Sequence, residues 1–220
     1  MGIKVIITGA TGFVGEGVLL ECLEHPQIDQ ILIAGRRPYN KSHPKIREII
    51  IPDFMDIEAF TEQLKGYDAC FFCAGISSRG LSEKEYRYIT YDITLHFAEK
   101  LASLNPGMIF NYISGAMTDS SEKGKIMWAR IKGRTENALM QLPFRKVYNF
   151  RPGFIKPLNG QQNVSGFYKF IGNIFPFLRI FIPNMLIDMH DVGLAMINTV
   201  LYGYSKNILE ISDMKLLTSK

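Results

Sequence analysis

The sequence predicts an α/β fold built on a doubly wound parallel sheet, and three observations predict it. Strand-like and helix-like patterns alternate from residue 3 to about 150. Several of the strand candidates are continuous apolar runs, as expected where helices cover both faces of a sheet. The first candidate, residues 3–8 (IKVIIT), runs into a turn crowded with Gly9, Thr11 and Gly12, and from Phe13 the apolar residues fall at helical spacing.

Taken in order, strands are expected at 3–8, 30–34, 46–51, 68–73, 108–113 and 145–150, with a short last one near 208–211. Helices are expected at 13–25, 55–65, 82–104, 122–141, 161–175 and 188–203. Pro26, Pro38, Pro44, Pro52, Pro106 and Pro143 all lie in or beside the connections, where the missing N–H does no harm. Asp53 can cap the helix starting near Met55, and Asp188 and Asp191 frame the last long helix as an N-cap and an N3 acid. His190, between them, reads as a capping-region residue.

A chain of 220 residues with 47% hydrophobic content and no internal repeat or linker reads as one domain over 1–220, with a small C-terminal helical cap at about 155–187. The net charge of +4 is spread out apart from Arg36 and Arg37, so nothing asks for nucleic acid as a partner. The chain opens directly into a strand carrying Lys4 and holds no apolar run of spanning length. No signal peptide and no transmembrane segment are expected, and the expected location is cytoplasmic. Cys22, Cys70 and Cys73 are too few, and too deep in apolar runs, for a disulfide framework. Cys70 and Cys73 sit three apart in one strand and so point to opposite faces. His25, His43 and His96 lack clustered partners, so no metal site is expected.

The turn after the first strand has the chemistry of a phosphate cradle. Gly9, Gly12 and Gly15 carry no Cβ and let a pyrophosphate approach the backbone. The N–H groups of the helix entered at Phe13 and Val14 then face its charge. The ligand crevice belongs at the carboxyl ends of the strands. There, Gly35 is followed by Arg36 and Arg37 where an NAD-selective site places an acid on the ribose 2′-OH. Two guanidiniums instead suit a 2′-phosphate, which points to NADP(H). Cys73, Ala74 and Gly75 end the fourth strand with small residues against which a cofactor can lie.

The run from Thr8 to Gly15 matches T-G-x-x-G-x-x-G and resembles the extended and atypical short-chain dehydrogenase/reductases (SDRs). That resemblance covers residues 3 to about 157 and implies several roles. Asp53 and Phe54 match the family's adenine-contacting pair, and Arg151, Pro152 and Gly153 match the loop along the nicotinamide. Ser114 matches the serine that orients the substrate carbonyl, and Lys132 the lysine that holds the nicotinamide ribose. SDR enzymes place a proton-donating tyrosine four residues before that lysine, on the same helix face. This chain has Trp128 there. Indole donates a hydrogen bond without ionising usefully, so it cannot replace a phenol as general acid. Tyr112, two residues before Ser114 but a candidate core residue, and Tyr91 in the preceding long helix are the conceivable replacements. The short chain, the Gly-Arg-Arg turn and the closing Leu209-Glu210 strand are similar to the atypical SDRs of the Tat-interacting-protein type. The similarity implies NADPH binding, and for several of these proteins a binding or regulatory role more than a defined reaction.

Two functions are therefore expected: an oxidoreductase on a small carbonyl or alcohol substrate, or a catalytically weak NADP(H)-binding module that presents a partner surface. Residues 167–182 (FYKFIGNIFPFLRIFI) carry an apolar stripe at helical spacing broken by Pro176. They suit a substrate-side flap, a homodimer or partner surface, or a membrane-surface contact.

Overall fold

Period-two alternation with both faces apolar builds the centre of the sheet. In β1 (Ile3–Thr8), Val5 and Ile7 enter one hydrophobic layer while Ile6 enters the other. The same division holds in β2 (Ile28–Gly35), with Ile31 and Ile33 against Leu32 and Ala34, and in β4 (Ala69–Phe72), with Phe71 against Cys70 and Phe72. Cys70 thus lies in one layer, and Cys73 packs against the other. A computed structural model gives these positions and describes residues 2–164, 166, 182 and 185–219.

With β3 (Ile46–Ile50), β5 (Ile109–Ile113), β6 (Lys146–Phe150) and β9 (Ile208–Leu209), these strands form a parallel seven-stranded sheet in the order β3-β2-β1-β4-β5-β6-β9. The order reverses between β1 and β4, which opens a crevice at their carboxyl ends. One face is covered by α1 (Phe13–Glu24), α5 (Met189–Tyr202) and α6 (Ile211–Thr218). The other is covered by α3 (Ile93–Leu104) and α4 (Met127–Leu139), with α2 (Glu83–Arg87) packed against α4. Aromatic contacts knit that second layer, with Phe72 meeting Phe97, Phe110 and Tyr112 at ring-centroid distances of 5.9, 5.9 and 6.1 Å. Among the described residues no helix is long and apolar enough to cross a membrane.

Several expected elements are corrected. The helix expected at 55–65 is two 3₁₀ turns, Glu58–Phe60 and Glu62–Leu64, closed by i→i+3 bonds such as Phe60 N–H to Ile57 O at 3.0 Å. The helix expected from 122 starts at Met127, because Asp119 draws the backbone N–H of Ser121 (3.0 Å) and Gly124 (2.7 Å) into a turn and Glu122 takes φ of 61°. The helix expected over 82–104 is interrupted by a π-turn at Tyr88–Asp92, where Ile93 N–H bonds to Tyr88 O. The chain does not extend as a strand to 211; α6 begins there, its N-terminus held by the Asp213 carboxylate on Glu210 N–H at 3.1 Å. Asp188 is the N-cap of α5 by position but makes no side-chain cap bond.

In the region expected as the cap, β7 (Phe154–Lys156) and β8 (Leu186–Asp188) pair in parallel. Of the helix expected at 161–175, residues 161–164 form a loop, and the remainder except 166 lies outside the described residues. So does the apolar stretch 167–182 except Ile182.

Candidate cofactor and active site

The turn after β1 owes its shape to two of its three glycines. Gly9 has φ of 71°, and a Cβ there would stand 2.7 Å from Ala74 N, while one on Gly15 would stand 2.1 Å from Gly9 O. Both are demanded by the fold itself. Gly12 differs, since its backbone is extended (φ −101°) and a Cβ would meet only Gly9 O, at 3.2 Å. It is the N-cap of α1, and no side chain caps that helix end beside the crevice. Backbone N–H groups left this way suit an anion.

The crevice has a volume of about 250 Å³. Of the residues expected to bind a cofactor, Gly9, Thr11, Gly12, Arg36, Arg37, Phe54, Cys73, Ala74 and Gly75 line it. Ala10, Ile33 and Ala34 line it too; sequence reading passed over them because they are ordinary apolar core types. Phe13, Val14 and Gly15 form the first turn of α1 behind it. Arg36 and Arg37 are exposed, and among the described residues neither is in an ion pair with a carboxylate. Arg36, Phe54, Ala74 and Gly75 also border a second, more apolar cavity of about 420 Å³. Its other walls include Asp53, Tyr88, Ile89 and Ile93, so the π-turn contributes Tyr88 and Ile89. The two cavities share Arg36, Phe54, Ala74 and Gly75 and together form a cleft with cations and glycines at one end and a more apolar lining at the other.

Beyond β5 the expected catalytic residues are brought together, with a different wiring. Ser114 is 2% exposed, and its hydroxyl is 2.5 Å from Glu136 Oε1 and 3.0 Å from Phe150 O. Glu136 is fully buried and holds the guanidinium of Arg151 in a two-toothed pair, with Nε to Oε1 at 3.0 Å and Nη2 on Oε2. Arg151 also reaches Ser120 Oγ at 2.6 Å and Glu210 at 3.4 Å. Arg151 is therefore occupied within the protein. Pro152 O accepts Ala116 N–H at 2.8 Å, and Gly153 packs on Met185, where a Cβ would stand 2.4 Å from Met185 O. Glu136 was missed in the sequence, although a carboxylate four residues after Lys132 on one helix face was the available signal.

Lys132 donates from Nζ to Ser114 O. Burial lowers its pKa from 10.5 to about 8, against the opposing pull of Glu136. The unfolded chain then binds the extra proton between pH 8 and 10.5, so this residue's destabilising effect is full below about pH 8 and gone above 10.5. Lys132→Met should accordingly raise stability at pH 7 by about 1 to 3 kcal/mol, and the gain should vanish near pH 10.5. Denaturant melts at the two pH values check it.

Trp128 stands one turn before Lys132 on α4, half-buried. The two alternative phenols, Tyr112 and Tyr91, lie in different surroundings. Tyr112 is buried, and burial raises its pKa further. Tyr91 is flanked by the guanidiniums of Arg87 and Arg134 at 5.7 and 4.9 Å from its ring centroid. His190 pairs with Glu21 at 3.0 Å between α5 and α1.

Residues 5–123 match the family described as NAD dependent epimerase/dehydratase. The chain belongs to that family. Members of the epimerase/dehydratase family share the extended SDR fold, and the sheet order and glycine turn described above fit it. The protein HTATIP2 of Rattus norvegicus is 26% identical over 155 residues, covering 69% of this chain and 62% of that protein, so this chain spans less than two thirds of that relative's length. Protein FMP52, mitochondrial, of Coccidioides immitis (strain RS) is 26% identical over 185 residues, covering 76% of this chain and 72% of that protein. Among solved structures, the dTDP-glucose 4,6-dehydratase DesIV of Streptomyces venezuelae, with NAD and TYD bound, superposes with a TM-score of 0.69. It is 14% identical and covers 99% of this chain and 80% of its own. At that identity the likeness establishes the epimerase/dehydratase fold alone.

Proposed function

We propose that the protein binds NADP(H) and acts as an SDR-type oxidoreductase on a carbonyl or alcohol substrate, with Trp128 at the position of the usual proton donor. The observation that carries this reading is the pair of exposed guanidiniums, Arg36 and Arg37, at the glycine-lined crevice where β2 ends. Bound NADPH would supply the hydride. Gly12 would admit the pyrophosphate, Arg36 and Arg37 would take the 2′-phosphate, Asp53 and Phe54 would border the adenine, and Lys132 would hold the nicotinamide ribose. Calorimetry should find NADPH bound more tightly than NADH. Replacing both arginines with alanine should remove most of the difference, since charge-assisted bonds to phosphate contribute about 1.5 to 3 kcal/mol each. Equal affinities in the native protein would overturn the preference.

A second reading, a catalytically weak NADP(H)-binding module, draws support from the wiring around Ser114. Its hydroxyl already faces two acceptors, Glu136 Oε1 and Phe150 O, and its oxygen is nearly closed to solvent, so it is poorly placed to polarise a substrate carbonyl. Together with Trp128 this removes two of the three usual catalytic contributions while leaving the cofactor cleft intact. The continuity of both apolar layers through the described chain supports a single domain.

A further inference from the structure

Glu16 lies on α1, one residue past the glycine turn, and its carboxylate is fully buried. Oε2 accepts two backbone N–H groups from the loop after β7, Gln162 at 3.0 Å and Asn163 at 2.6 Å. Oε1 faces Lys41 Nζ at 3.6 Å and has no hydrogen-bond donor among the described residues. A second tie joins the same two pieces: Gln161 Nε2 donates to Phe13 O at 2.5 Å, and Gln161 Oε1 accepts Leu158 N–H at 3.2 Å. Lys41 closes the stretch that begins with Arg36 and Arg37, and its ammonium sits 5.3 Å over the Tyr39 ring.

A buried carboxylate with one oxygen so sparsely partnered is a poor way merely to fill space, because an apolar side chain of similar size would avoid the desolvation. What the charge achieves is register. It holds two pieces of chain, the 36–41 stretch and the loop 158–163, against the first turn of α1, whose N–H groups border the crevice. We propose that Glu16 is a positioning residue that couples dinucleotide occupancy to the seating of loop 158–163. This rests on the cofactor reading above. Whatever settles the Gly12–Gly15 turn and the 36–41 stretch also settles the carboxylate that holds the loop. By linkage, the loop's seating must strengthen dinucleotide binding by the factor that the dinucleotide strengthens the seating.

The test is amide hydrogen exchange at Gln162 and Asn163 with and without NADPH, alongside the NADPH dissociation constant, in the native protein, Glu16→Ala and Glu16→Gln. In the native protein NADPH should slow exchange at both amides about 10-fold, a coupling of ordinary size. In Glu16→Ala both amides should exchange faster without ligand, NADPH should no longer slow them, and the dissociation constant should rise by a similar factor of about 10. Glu16→Gln keeps the size and an acceptor, and covers the case in which the alanine variant does not fold. It should lose a measurable part of the NADPH effect, since its uncharged oxygen binds the two N–H groups more weakly. A native-sized NADPH effect in whichever variant folds would overturn the proposal, as would native binding with no change at these two amides. Failure of the native protein to bind either NADPH or NADH would instead overturn the cofactor reading, so the two failures are distinguishable.

Discussion

Gly12→Val should abolish NADPH binding and leave the fold standing. The extended backbone at Gly12 is open to any residue, and a Cβ there meets a single carbonyl oxygen at 3.2 Å, which a small shift relieves. The branched side chain would instead occupy the crevice between the end of α1 and the Arg36–Arg37 turn. Losing two charge-assisted phosphate bonds at about 1.5 to 3 kcal/mol each corresponds to an affinity loss of at least about 100-fold. Gly15→Val makes the contrast, because a Cβ 2.1 Å from Gly9 O must break the turn. It should lower the melting temperature as well as binding. Thermal melts and calorimetry on both variants separate the two effects. Undiminished NADPH affinity in Gly12→Val would place the phosphate site elsewhere.

Trp128→Tyr should raise NADPH-dependent carbonyl reduction by about 100-fold, the low end of the 10² to 10⁴ that a general acid contributes. The low end is expected because the substitution places a phenol four residues before Lys132 but leaves the Ser114 hydroxyl engaged by Glu136 and Phe150 O. Lys132, whose lowered pKa of about 8 still leaves it an ammonium at pH 7, would sit one helical turn away, and its positive charge would favour the phenolate form. Initial rates with a panel of small aldehydes, ketones and quinones, compared among native protein, Trp128→Tyr and Trp128→Phe, give the measurement. Rapid native turnover that survives Trp128→Phe would show that another residue supplies the proton and that the weak-catalyst reading is wrong.

Much of the scaffold was legible in the chain because the signals are local. Continuous apolar runs in β1, β2 and β4 mark strands covered on both faces, and the alternation of strand and helix patterns marks a doubly wound parallel sheet. The position of Arg36 and Arg37 follows from where β2 ends. Local reading failed where a polar side chain competed with the helix. Asp119 delayed α4 by holding two backbone N–H groups, and the stretch from Ile57 to Leu64 closed i→i+3 bonds that apolar spacing does not distinguish from a helix. The π-turn at Tyr88–Asp92 was equally invisible, because one wide turn barely disturbs a helical pattern.

By itself the sequence determined the parallel sheet, the glycine turn, the two arginines beside it and an indole one helical turn before Lys132. Each depends on spacing within a few residues, which backbone geometry converts directly into a shared face or a tight turn. The tertiary structure alone decided which glycines serve the fold and which one leaves room for a ligand. It also decided where the buried charges point. Ser114 meets Glu136 across 22 positions, and Glu16 meets Asn163 across 147. No periodicity encodes such meetings, because they depend on how whole helices and loops settle on the sheet. A buried carboxylate takes whichever donors that packing brings within reach.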